Sequence, residues 1–512
     1  MTGLRASVRL DARVQRRYGL WSVAAVITAG WTALLFGLGS PAAPVLGPLV
    51  LVIDTASFGV FFVAALILYE RTEGAFAALA VSPLGFTEYL ATKVGSLAAV
   101  AVASALPVVW ASTRAAPISP AAFGMTALAV ALLAVLLLTL SVGMVLPHRS
   151  LTTFLVTGVW PLIPLLLAPL LHLTELVRHP LLFLVPTTAA AELIRLGFAP
   201  AEFSDPLTLA GLIAYLGLAA AAAVWFARRR WLADRSPGRG QGAAQEIAPP
   251  TTASIFLQPR PGRSAVAGLP AALARLDLAT VGRDPLLAAI LAGPVLLAIG
   301  LRFGYPFLEG FAAQTWGLDL VPHRPLLAVA LIVLHVPYMA GSLTAMLILE
   351  DIDERHLLAL RASPLSLAGY FAYRLGVAGL LALAGLLGAT LLVDMDTLSW
   401  SVGMAGTLVL AAATAPLAAL AVAVAASNRV EAISMLKIVG LVPIVVPVAA
   451  WFIDGPIRWA LAPLPYFWVG EATWAAGTTG PGPVIAVGAG TLTTVLAGLL
   501  LGRRVTRKLG MP

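Results

Sequence analysis

ERTEGAFAALAVSPLGFTEYLATKVG, residues Glu70–Gly95, is a charged, amphipathic stretch set between two apolar runs. A second copy, DIDERHLLALRASPLSLAGYFAYRLG, lies 281 residues later at Asp351–Gly376. With no gap, Glu73 meets Glu354, Leu79 meets Leu360, and Ser82-Pro83-Leu84 meets Ser363-Pro364-Leu365. Tyr89 meets Tyr370, Gly95 meets Gly376, and Arg374 stands in the place of Lys93. Polar loops drift fastest in sequence, so a gapless repeat across one argues for a task beyond connection. A segment of this kind reads as a docking element for something outside the membrane.

The chain around it is 60% hydrophobic and 11% charged, against about 25% charged in soluble domains. Its mean hydropathy is +0.94. Runs of roughly 20 apolar residues recur, each long enough to cross a bilayer. The chain has no cysteine, which removes disulfides and thiolate-held metal. Its net charge of +8 first reports orientation in a membrane, not nucleic-acid binding.

The expected fold is an all-α polytopic membrane protein. It has two parallel six-helix repeats, about 12 transmembrane helices, with cytoplasmic coupling helices and interfacial elbow helices. Spans are expected near 21–38, 46–69, 94–112, 121–146, 152–171 and 206–227, then near 285–302, 325–350, 375–394, 401–426, 432–453 and 483–502. The first half occupies 1–235, a flexible Gly/Pro/Ser-rich cytoplasmic linker 236–268, and the second half 269–512. Arg5, Arg9, Arg13 and Arg17 recur every four residues, with Leu10, Val14 and Tyr18 on another face, which predicts an interfacial helix. Arg9-Leu10-Asp11 is echoed by Arg275-Leu276-Asp277 before the second half. Pro161 and Pro164 are expected to kink the fifth span. The stretch His172–Asp205 is expected to form short outer helices, with Glu192 and Glu471 each six residues after a proline. With both termini, the repeats and the linker cytoplasmic, 26 of 32 Lys/Arg lie inside, the positive-inside pattern.

Glu70, Gly74, Ser82-Pro83-Leu84, Tyr89-Leu90 and Lys93 together resemble the segment after the second helix in ABC type-2 permeases. The second copy keeps Glu354, Ser363-Pro364-Leu365 and Tyr370, but carries Arg355 where the glycine stands. SNRVEAISMLKIVGLVPIVVP, Ser427–Pro447, resembles the start of the fifth helix in drug-efflux permeases of the fluoroquinolone-exporter kind. The first half departs there: His148-Arg149 replaces Asn428-Arg429, and no acid matches Glu431. The resemblance covers both halves and not the linker. It implies the permease of an exporter in a bacterial-type plasma membrane, served by two copies of a separate ATP-binding-cassette ATPase subunit. ATP and Mg would then act through those subunits, and this chain would need no cofactor. The apolar spans, with few charges, point to a hydrophobic or amphipathic substrate such as a drug, natural product or lipid.

The residues agree on what is missing. No G-x-x-x-x-G-K-[S/T] occurs, so no phosphate loop hydrolyses ATP here, and none of the six histidines belongs to H-E-x-x-H. The competing class is a proton- or sodium-coupled secondary transporter, which expects ionisable groups near mid-membrane. Asp54 and His335 are the main candidates, and they too are 281 apart. Each lies 16 residues before its docking segment, about 24 Å along a helix and within the outer third of a roughly 30 Å core. In the resembled family the second helices line the pathway, which points both residues at the substrate route. They either meet there or serve neighbouring helices separately.

Overall fold

The computed structural model describes residues 2–17, 20–37, 43–72, 85–114, 118–148, 154, 160–177, 179–199, 205–234, 275, 277–279, 282, 285–317, 319–353, 367–393, 398, 400–426, 429–453 and 455–508. It divides into two compact units, Met1–Pro261 and Gly262–Pro512. The division falls in the linker stretch, which lies outside the described residues, as do 73–84 and 354–366.

The first unit contains α1 (Thr2–Arg17), α2 (Leu20–Gly37), α3 (Ala43–Thr72), α4 (Phe86–Thr113), α5 (Pro120–Val145), α6 (Leu162–Leu173), α7 (Pro186–Phe198) and α8 (Pro206–Asp234). The second contains α9 (Pro285–Trp316), α10 (Arg324–Ala328), α11 (His335–Asp353), α12 (Leu367–Leu392), α13 (Val402–Ala412), α14 (Thr414–Ala425), α15 (Arg429–Phe452), α16 (Pro465–Ala475) and α17 (Gly482–Lys508). Among the described residues, nine helices are long and apolar enough to cross a membrane, or ten if the bent α1–α2 pair is one span. The chain is thus an all-α, multi-pass membrane protein.

The helix ends follow local chemistry. Proline opens α5, α7, α8, α9 and α16, at the position where its missing N–H is not needed. Ser119 accepts the Ala122 N–H at 3.2 Å, and Ser401 accepts that of Met404 at 3.0 Å. Pro161 stands at the N-cap of α6 and Pro164 in its first turn; 155–159, on which the expected kink depends, lie outside the described residues. Within the helices, buried hydroxyls bond back to their own carbonyls, as Thr126 does to Ala122 at 3.0 Å and Thr407 to Gly403 at 2.9 Å. That disposes of a polar group that lipid would penalise.

In the first unit α5 is the central helix, packed by α3, α4, α7 and α8, with Ala129, Val130, Leu133 and Val142 fully buried. In the second, α11 packs α12, α14 and α15. Small residues set the spacing there. A Cβ on Gly341 would lie 2.5 Å from the Ala415 carbonyl, so α11 and α14 touch backbone to backbone.

The second span of the second unit, Val321–Ile352, is helical throughout but not α-helical throughout. Between α10 and α11 the chain forms a π turn at Val329–Val333, with Leu334 N–H donating to Val329 O at 2.9 Å. Pro337, without an N–H, follows in the first turn of α11. In the first unit α3 runs unbroken over the corresponding residues.

Candidate functional site

The helices bounding the two repeated segments keep the sequence offset. α3 carries Glu70 where α11 carries Asp351, and α4 carries Lys93 where α12 carries Arg374, each pair 281 apart. Glu73, Gly74, Leu79, Ser82, Pro83 and Leu84, and Glu354, Arg355, Leu360, Ser363, Pro364 and Leu365, lie outside the described residues. The residues flanking them are described, and they form a cluster of the same design in each unit.

In the first unit Lys93, on the second turn of α4, bonds Asp11 of α1 at 2.6 Å and also Glu70 near the end of α3. Tyr89 donates its hydroxyl to Glu70 at 2.7 Å. Gln15 bonds Asp11 and Ser96, each at 2.7 Å, and Ser96 also donates to Asp11. Lys93 and Asp11 are almost fully buried, at 4% and 5% exposure. In the second unit Arg374 of α12 bonds Asp277 and Asp351, both at 2.6 Å. Tyr370 donates to Asp351, and Tyr373 donates to Asp277 at 3.0 Å.

Each cluster therefore joins three pieces of chain: the helix before the unit's first span, the helix entering the repeated segment, and the helix leaving it. Two acids share one base, and tyrosine hydroxyls supply further donors. Such ions are costly to bury and remain only where their bonds are complete. The sequence placed Glu70, Tyr89 and Tyr370 in the docking surface; here their polar atoms are turned onto partners in the same unit. Asp11, Gln15, Ser96, Asp277 and Tyr373 were not singled out. The echo of Asp11 in Asp277 was the available signal.

Neighbouring ends are tied by backbone bonds. Arg71, beside Glu70, donates to His148 O at 2.9 Å, which fixes the exit of α5. Lys508 donates to the carbonyls of Ala423, Val424 and Ala426 at 3.1, 3.1 and 2.6 Å, capping α14 with a cation where the helix dipole favours one. Glu431 lies in the first turn of α15, at the opposite pole.

Asp54 is half-buried on α3. His335 opens α11 just after the π turn. Its ring lies 5.6 Å from Tyr338, and its Nδ1 is buried without a hydrogen-bond partner. Tyr338 donates to Leu436 O at 2.6 Å and lies over Gly440, where a Cβ would come within 2.6 Å of the ring. The two candidates belong to different units.

The short helices expected between the fifth and sixth spans are α7 and α16, which begin at Pro186 and Pro465. Glu192 is held by His172 at 2.8 Å and by a two-point contact with Arg195, both bonds 2.8 Å. Burial raises its carboxyl, but the bonds from Arg195 and His172 outweigh that and hold it at about 2. Glu471 bonds Arg458, yet burial prevails and its carboxyl sits above the usual range. A depressed carboxyl stabilises the fold above its unfolded value, and that contribution fades as pH falls towards the folded value. Thermal unfolding should therefore show an acid-dependent loss between about pH 4.5 and 2, which Glu192→Gln flattens. An unchanged acid limb in that variant contradicts the assignment.

Two family profiles match, one to each unit. "Fluoroquinolones export permease protein family" matches residues 2–235, and "Fluoroquinolones export permease protein Rv2686c-like" matches 277–501. The Fluoroquinolones export permease protein Rv2686c of Mycobacterium tuberculosis is 29% identical over 219 residues, 41% of this chain and 83% of that protein. The Fluoroquinolones export permease protein Rv2687c of the same organism is 32% identical over 200 residues, 39% of this chain and 82% of that protein. No solved structure matches the chain significantly. The fold and these matches define an ABC-type permease of the exporting class, moving a drug or other hydrophobic substrate. The chain belongs to the fluoroquinolones export permease family.

Proposed function

We propose that this chain carries in one polypeptide both membrane halves of an exporter for amphipathic drugs of the fluoroquinolone kind. Each relative is covered over four-fifths of its length by about two-fifths of this chain, which supports reading the chain as two permease halves joined. The observation that carries the reading is the ion cluster that brackets each docking segment at the same offset. In this reading residues 72–84 and 353–365 form short coupling helices, one for each of two ATP-binding-cassette subunits that supply ATP and Mg chemistry. Each half then has six spans, with α3 and the α6 region completing those of the first. The halves occupy 1–235 and 269–512, and both termini face the cytoplasm of a bacterial cell. Because Lys93 and Arg374 staple both ends of a docking segment to the preceding helix, a displacement of that segment moves all three pieces together.

The proposed linker, 236–268, only connects. Co-expressed fragments 1–240 and 265–512 should associate and transport. Stable, inserted halves that fail to restore transport would give the linker a larger part.

Asp54 and His335 lie on the proposed substrate route. His335 offers a buried nitrogen with no partner in its own unit, beside a tyrosine ring. Asp54→Asn and His335→Ala should each lower export several-fold while insertion and ATPase binding persist. A double-mutant cycle separates a shared gate from two local roles, since separate roles add. Wild-type export from both single variants would remove these residues from the route.

A further inference from the structure

We propose that the arginine rim of the first unit, formed by α1 and the end of α8, holds anionic phospholipid headgroups. α1 is fixed in rotation about its axis. Asp11 and Gln15 are turned inward onto Lys93 and Ser96, and this leaves Arg9, Arg13 and Arg16 exposed. Leu10, 63% exposed, lies beside them. Trp21, exposed at the start of α2, donates to Gln15 at 3.1 Å and so ties the span to the same helix.

α8 closes the rim. Arg228, Arg229 and Arg230 are all exposed, and the Arg229 guanidinium lies 3.9 Å from the centre of the exposed Trp225 ring. Next to them the buried Trp231 packs on Phe86 and Tyr89 at 5.1 and 5.9 Å. Both helices thus attach to the first turns of α4, α1 through Lys93 and Ser96, and α8 through Trp231. Of the acids on the two helices, Asp11 is paired inside and Asp234 ends α8.

Six exposed guanidinium groups can each take phosphate oxygens in two-point contacts. Tryptophan marks the headgroup level of a bilayer, and an arginine stacked on it sits at phosphate depth. The exposed Leu10, Trp21 and Trp225 beside the arginines favour lipid over a water-soluble subunit as the occupant. α17 of the second unit supplies a contrast. It exposes Arg503, Arg504 and Arg507, but Gly482–Lys508 contains no aromatic residue.

The test uses the full chain in bilayers containing spin-labelled phosphatidylglycerol or phosphatidylcholine. Wild type should retain phosphatidylglycerol in preference to phosphatidylcholine, and the preference should fall as salt rises. Arg9→Gln, Arg13→Gln, Arg229→Gln and Arg230→Gln combined should reduce it several-fold. Arg503→Gln, Arg504→Gln and Arg507→Gln combined should leave it in place. If the fourfold variant does not insert, Arg229→Gln alone should still reduce the preference measurably. No preference in wild type, or an equal fall in both sets, overturns the proposal. Loss of ATPase binding with lipid preference intact would also overturn it, and would assign the rim to the ATPase.

Discussion

Lys93→Ala is expected to be the most damaging single substitution outside the tightly packed helix contacts. It removes the cation that bonds both Asp11 and Glu70 and leaves two nearly buried carboxylates facing each other. Breaking a buried ion pair by deleting one partner costs about 3–5 kcal/mol. That is a large part of the roughly 5–15 kcal/mol of a typical fold. The variant should unfold at lower temperature and accumulate poorly. Arg374→Ala should behave alike, because Asp277 and Asp351 are left in the same state. Lys93→Arg should recover most of the loss, since the second unit is built with arginine at this place. Lys93→Met combined with Asp11→Asn and Glu70→Gln should also recover stability, because no uncompensated charge remains. A wild-type melting curve from Lys93→Ala would show that the cluster does not bind its three segments together.

Glu73→Lys with Glu354→Lys is the second large effect, and it falls on function. In the coupling helices proposed here a carboxylate at the start would complement the helix dipole, and Pro83 and Pro364 would end the helix by disfavouring it at the preceding residue. Reversing both charges at a docking surface should cost about 2 kcal/mol or more per contact, roughly thirtyfold in affinity. Export should fall to background while the chain still inserts. ATP hydrolysis by the partner subunit should lose its dependence on the permease. Normal assembly and transport in the double variant would remove these residues from the docking surface. The glycine at Gly74 against Arg355 predicts that the two single reversals differ in size.

The membrane class and the 281-residue repeat were legible in the sequence because both are local: hydropathy is a window property, and a repeat needs only an offset. Helix ends were read less well. A span expected at 94–112 belongs to a helix that starts at Phe86, since hydropathy marks the lipid-facing length and the helix runs on through Tyr89 and Lys93. The ion clusters were half legible. Glu70, Tyr89 and Lys93 stood in the quoted stretch, but Asp11 lies 82 residues from Lys93 and no spacing rule pairs them. For the same reason α1 was read by its arginine and leucine rows, while its inward Asp11–Gln15 face went unseen. The π turn at Val329–Val333 lies in a uniformly apolar run, where no polar residue marks a change of period. Glu192 and Glu471 occupy like places in the chain, yet the first answers to His172 and Arg195 and the second mainly to its burial. Part of that difference is local, since Arg195 stands three residues after Glu192 where Trp474 follows Glu471; the bond from His172 and the burial arise from packing.

We propose that this chain exports by way of separate ATP-hydrolysing subunits. The direct measurement is uptake of a fluorescent fluoroquinolone into inside-out membrane vesicles, made with the chain alone or with an ATP-binding-cassette subunit. Uptake that requires ATP and both proteins, and that persists when proton and sodium gradients are collapsed, is the predicted result. Uptake by the chain alone, driven by an ion gradient and indifferent to ATP, would contradict it.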